Sequence, residues 1–155
     1  MMDGAFFYLR IAGHGLDVNA LDETLSAEPS TEQRTFIKEG EVNTTKFETV
    51  VHKEDCWITE YDSSQDQTVD EAILHFVSAY LPKRDYLYEL AQTHNVSFVC
   101  SLYPESEQYH MHLTPELLTA FGNLGIKFDF DFAFLMDYYR GNTNNTGGLP
   151  CSTSA

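Results

Sequence analysis

Basic residues are scarce in this chain: 9 lysines and arginines stand against 24 aspartates and glutamates, a formal charge of −15. A surface of that sign repels phosphate backbones and anionic lipid, so neither nucleic acid nor membrane is an expected partner, whereas a basic protein is. Cysteine is scarce too. Cys56, Cys100 and Cys151 are odd in number, widely spaced and form no CxxC pair, so free thiols in a reducing cytoplasm are expected. No apolar run is long enough to span a bilayer. Met1 to Arg10 lacks a basic region followed by an uninterrupted apolar core, so no secretory leader is expected. Gly13-His14-Gly15 follows a strand but lacks the third glycine and long helix of a dinucleotide fingerprint, and reads as a turn. There is no Gly-x-Ser-x-Gly elbow and no cysteine-nucleophile signature, so nucleophilic catalysis has no support and no cofactor is expected.

What the chain does have is apolar and aromatic content. At 155 residues, 43% hydrophobic and 14% aromatic, it can bury a core without staples or metals. The expected organisation is a single α+β domain over residues 1–140. After Arg140 the run from Gly141 to Gly148 has no apolar period, so residues 141–155 are expected to be a flexible tail.

The strongest stretch runs from Leu113 to Phe134. Thr114 is placed to cap a helix with its hydroxyl, and Pro115 stands at the first helical position, where its missing N–H costs nothing. Leu117, Leu118, Phe121 and Leu124 follow at helical spacing, and Gly125 supplies a left-handed stop. The period then switches to two: Ile126, Phe128, Phe130, Phe132 and Phe134 alternate with Lys127, Asp129, Asp131 and Ala133. Such a phenylalanine face needs a layer of helices to cover it, and burial of Phe128, Phe130 and Phe132 is predicted.

Upstream, Ala5 to Ala12 reads as a strand with Phe7, Leu9 and Ile11 on one face. Asp17 is a candidate N-cap for a short helix with Leu21 and Leu25 inward, ended by Pro29. Ser30 to Thr45 is mostly polar and reads as a long loop. Phe47–His52 and Asp55–Tyr61 read as two strands joined tightly at Lys53-Glu54. Thr68-Val69-Asp70-Glu71 is a capping box, opening a helix whose buried stripe is Ile73, Phe76, Val77 and Tyr80 and which Pro82 stops. A second helix follows, with Leu87, Leu90 and Ala91 inward. Val96 to Tyr103 reads as a strand, Pro104 to Glu107 as a turn, and Gln108 to Leu113 as a partner strand. This order favours one mostly antiparallel sheet with helices on one face, of ferredoxin-like character.

A short helix ending in Glu28-Pro29-Ser30, a Lys38-Glu39-Gly40-Glu41 segment and Trp57 on a strand occur in that order. A helical pair, the Leu113-Thr114-Pro115-Glu116-Leu117-Leu118 start and Leu124-Gly125-Ile126 before an Asp-alternating strand come after them. Together these resemble the bacterial domain-of-unknown-function family 4279, over roughly Ala5 to Phe134. The resemblance implies the fold and brings no catalytic residues with it. Members of such small bacterial families often look like immunity proteins for secreted toxins, and that role is what the resemblance implies here.

Three residue groups could carry function. His110 and His112 flank Met111 on an expected strand, about 7 Å apart at Cα, a spacing suited to two metal ligands. A third ligand from Glu105, Glu107 or His14 would be needed, so no metal is expected. Asp129 and Asp131 share the face opposite the phenylalanines, where carboxylates serve acid/base work, hold a divalent cation, or simply keep an exposed strand from aggregating. Between Lys53 and Lys83 lie Glu54, Asp55, Glu60, Asp62, Asp66, Asp70 and Glu71 with no lysine or arginine among them. Asp70 and Glu71 suit a helix start. Glu60, Asp62 and Asp66, with Tyr61 as an aromatic anchor, are the candidate partner surface. The reading is an acidic, cytoplasmic, non-enzymatic protein that occludes a basic toxin domain. The alternatives are a small metal-binding or hydrolytic enzyme and a structural or oligomerisation domain. Oligomeric state is not legible.

Overall fold

A computed structural model describes residues 5–25, 32–61, 68–102 and 111–132. In chain order the elements are β1 (Ala5–Gly13), α1 (Val18–Leu25), β2 (Glu32–Ile37), β3 (Val42–Thr44), β4 (Thr49–Val51), β5 (Asp55–Tyr61) and α2 (Val69–Tyr80). A 3-10 turn over Leu81–Lys83 leads into α3 (Arg84–Ala91), β6 (Asn95–Leu102), α4 (Pro115–Leu124) and β7 (Lys127–Phe132). The larger sheet has the order β2-β5-β1-β6-β7, and β3 and β4 pair separately. The pairs β2–β5, β5–β1 and β1–β6 are antiparallel, while β6–β7 is parallel. This is an α+β architecture with a mainly antiparallel sheet. The strand order does not establish the ferredoxin-like character expected from the element sequence.

The first strand became central because both of its faces are apolar. Phe7, Leu9 and Ile11 enter the main core, and Tyr8 and Ala12 enter a second cluster with Ile37, Cys56, Ile58 and Val99 on the opposite face. Over the main core lie the helices. Three of them, α1, α2 and α4, carry local start signals: Asp17 Oδ1 accepts from the Ala20 N–H at 3.1 Å. Thr68 and Glu71 form the reciprocal capping box. Thr114 Oγ1 accepts from the Leu117 N–H at 3.2 Å, and Gly125 ends α4 at φ 69°, a left-handed value that a Cβ would strain. From α2, Ala72, Ile73, Phe76, Val77 and Tyr80 are buried, and from α4 Leu117, Ala120 and Leu124. Phe98 on β6 sits at the middle of an aromatic chain, 5.0 Å from Phe76, 5.5 Å from Phe121 and 5.1 Å from Phe128 between ring centroids.

Four expectations need correction. The phenylalanine face of β7 is covered only in part: Phe128 and Phe130 are half-buried against the core, and Phe132 is 47% exposed. Among the described residues β7 has a neighbouring strand on one side, and the ring contacts from α4 reach Phe128 through Phe121 at 3.9 Å. The stretch read as a loop from Ser30 to Thr45 contains β2 and β3. The segments before and after Lys53-Glu54 do not form a hairpin, since β4 pairs with β3 and β5 joins the larger sheet between β2 and β1. Met111, His112 and Leu113 form no strand. The expected turn at 104–107, the start of its partner strand, Phe134 and the tail at 141–155 lie outside the described residues.

Candidate functional site

The predicted partner surface starts at the end of β5. Glu60 and Tyr61 are consecutive strand residues, so their side chains leave opposite faces of the sheet. Glu60 is half-buried on the face shared with Ile58. Tyr61 turns toward the helices, stacks on Phe76 at 5.3 Å and hydrogen-bonds His75 Nδ1 through its hydroxyl at 2.9 Å. Tyr61 is thus part of the core's rim. Asp62 and Asp66 lie outside the described residues.

His112 is exposed, and His110 lies outside the described residues. Asp129 is half-buried with its carboxylate 3.4 Å from Lys127 Nζ, and Asp131 is exposed. Among the described residues no three histidine, cysteine, aspartate or glutamate side chains are grouped to hold a metal ion. Cys56 and Cys100 are buried, and burial pushes the Cys100 thiol up to about 12, where it is not a nucleophile.

A second region, at the other end of β5, was not singled out from sequence. Asp55 opens β5 and is 8% exposed. Its carboxylate accepts the Glu39 N–H at 2.8 Å on one oxygen and the Leu16 N–H at 3.0 Å on the other. These backbone donors, Glu39 first, hold the Asp55 carboxyl below its ordinary range against the opposing effect of burial. One side chain thereby fastens the turn after β1 and the turn after β2 to the start of β5. His14 Nδ1 and Glu39 Oε2 join the same two turns at 3.0 Å across the surface, and that hydrogen bond and the Glu39 charge raise the His14 pKa.

From this fastened base the β3–β4 hairpin rises as a two-stranded arm. The Gly40 N–H donates to the His52 carbonyl at 2.8 Å and the His52 N–H donates to the Glu41 carbonyl at 2.9 Å, which closes the root. The His52 ring is buried and accepts from Asn43 Nδ2 at 3.1 Å. At the tip, the Thr45 N–H donates to the Glu48 carbonyl at 2.8 Å, and Thr45 Oγ1 accepts from the Phe47 and Glu48 N–H groups at 3.3 and 3.1 Å. Yet three of its four apolar side chains face water, Val50 alone being half-buried. Phe47 is 76% exposed, and Val42 and Val51, directly opposite each other, are 54% and 55% exposed. The β4 half of the arm lies within the expected strand Phe47–His52, whereas its partner Val42–Thr44 is too short to stand out in the sequence.

The profile of a domain of unknown function, DUF4279, matches residues 4–135, which takes in every element from β1 to β7. The chain belongs to the DUF4279 family. No curated protein and no solved structure matches it. Membership in DUF4279 carries no assigned chemistry, so the site must be argued from its own residues. Among the described residues no helix is long and apolar enough to cross a membrane.

Proposed function

We propose that this DUF4279 chain is an acidic protein-binding domain that occludes a basic protein, a toxin domain being the partner class that fits best. The observation carrying this reading is the formal charge of −15, which attracts a basic surface at long range and repels nucleic acid and anionic membrane. The mechanism is steric and electrostatic: carboxylates stand in for the anionic substrate of the partner and cover its site. The compartment is the bacterial cytoplasm, a reading supported by the free, buried thiol of Cys100. Exposed charges are screened over ~8 Å at physiological ionic strength, so association should slow as salt is raised while dissociation changes less. The test is affinity capture from the source cell, with any neighbouring toxin locus expressed, followed by association kinetics of the purified pair at several salt concentrations. An acidic partner, or association that ignores salt, would remove this reading.

A further inference from the structure

We infer that the β3–β4 arm is the contact element, and that it seats Phe47, with Val42 and Val51 behind it, in an apolar socket on a basic protein. This deepens the proposed function and rests on it for the sign of the partner's charge.

Two features of the arm point to docking. Its backbone is held in place: reciprocal root hydrogen bonds, a buried His52 and the Asp55 carboxylate fix the base, and Thr45 fixes the tip turn. Phe47, Val42 and Val51 are nevertheless exposed, and among the described residues β3 and β4 pair only with each other. Exposed valines and a phenylalanine lower solubility without contributing to the chain's own core, and contiguous apolar exposure marks interaction surfaces. A pre-ordered arm also loses little conformational entropy on binding.

Charge selects the occupant. A second copy of the chain would bring another formal charge of −15 to the contact, and nucleic acid and anionic lipid are repelled in the same way. Close to the arm in sequence, Glu39, Glu41, Glu48, Glu54 and Asp55 stand with Lys38, Lys46 and Lys53; Glu54 pairs with Arg10 and Glu39 with His14, so the attraction rests on the charge of the whole chain. The complement is a protein surface with an apolar pocket rimmed mainly by lysine and arginine. The aromatic tip is the anchor, and the acids set approach and orientation.

The test uses the full chain with a photo-crosslinking benzophenone side chain placed, in separate proteins, at Phe47, at Glu60 and at Tyr88, irradiated in the source cell. Adducts are identified by mass spectrometry, and the captured protein is purified and titrated against wild type, Phe47→Ser and Val42→Thr/Val51→Thr. The expected result is an adduct at Phe47 with a protein of net positive charge. Affinity should fall roughly thirtyfold in Phe47→Ser with the thermal midpoint unchanged, and less in the double valine variant. An adduct of twice the chain's mass, an adduct with an acidic protein, no adduct at Phe47, or unchanged affinity in Phe47→Ser overturns the inference. A basic protein captured at Glu60 but not at Phe47 rejects the arm and leaves the occlusion reading standing. No basic protein at any of the three positions rejects both.

Discussion

Phe76 and Phe47 are the same side chain in opposite circumstances. Phe76, on α2, is 1% exposed and touches Tyr61, Tyr80 and Phe98, whereas Phe47, at the tip of the β3–β4 arm, is 76% exposed. The helix-covered sheet spends its aromatics on cohesion; the arm keeps its backbone ordered by hydrogen bonds and leaves its apolar groups outward. Order in the first region follows from burial, and in the second from Asp55, His52 and Thr45. The two therefore ought to fail by different routes, and substitutions can separate them.

The largest loss is expected in the buried aromatic chain beside Phe98. Phe76→Ala should cost about 3–5 kcal/mol, because a fully buried ring is removed and its neighbours cannot close the space. Urea unfolding followed by tryptophan fluorescence reports it, since Trp57 is buried beneath α1 with its indole N–H donated to Asp22 at 2.9 Å. A loss under ~1 kcal/mol would mean that the helix layer is not what holds the sheet.

Along β7 the same substitution should grade with cover. Phe128→Ala, where rings from Phe98, Phe121 and Phe130 converge, is expected to cost about 3 kcal/mol, and Phe132→Ala ~1 kcal/mol or less. Equal losses at the two positions would show that the end of β7 is as well packed as its start.

That gradient also marks how far the sequence could be read. The helix boundaries were legible because Thr68, Thr114 and Gly125 act within one turn of themselves, and local chemistry is visible in local sequence. The alternation of β1 and β7 was legible for the same reason. Pairing was not. Phe128 beside Phe98 in a parallel register depends on where the chain returns after α4, and no residue in β7 encodes its neighbour. β2 escaped because Glu32-Gln33-Arg34-Thr35 shows no apolar period: an edge strand is constrained on one side only. The site was less legible still. Glu60 and Tyr61 are adjacent in sequence and so were grouped, although a strand sends neighbours to opposite faces. Asp55, passed over as one acid in a run, is set apart only by Leu16 and Glu39, which reach it from turns distant in sequence.

Asp55 is the point where the arm's route to order can be broken. Asp55→Asn keeps the size but loses the charge and one of the two acceptor oxygens, so that an amide NH2 faces the Glu39 or the Leu16 N–H, and is expected to cost about 2 kcal/mol. The pH dependence has a definite sign. The folded carboxyl lies below its unfolded value, so its contribution is present above the unfolded pKa of about 4 and is lost as pH falls through the folded one. The stability gap between wild type and Asp55→Asn should hold constant over roughly pH 5 to 8 and narrow below about pH 4. A gap that is unchanged in acid would mean that Asp55 acts by shape alone. Hydrogen exchange at Gly40 and His52, whose N–H groups close the arm's root, should speed up in the variant more than exchange in β6.

The smallest effect on stability is expected at Phe47, and its smallness is informative. A ring that is mostly in water has little transfer free energy to lose, so Phe47→Ser should leave the unfolding free energy within ~0.5 kcal/mol of wild type. The backbone should stay put as well, because the turn is held by the Thr45 N–H and hydroxyl and by the Glu48 carbonyl, none of which involves the Phe47 side chain. Thr45→Ala supplies the contrast: it removes the hydroxyl that satisfies two tip N–H groups and should cost about 1 kcal/mol with faster exchange at Glu48. If Phe47→Ser instead lowers stability by as much as Phe128→Ala does, the ring is buried in the folded chain and the arm is a second piece of core. If stability holds, Phe47 is maintained by something other than folding, and the arm differs from the sheet in purpose as well as in packing.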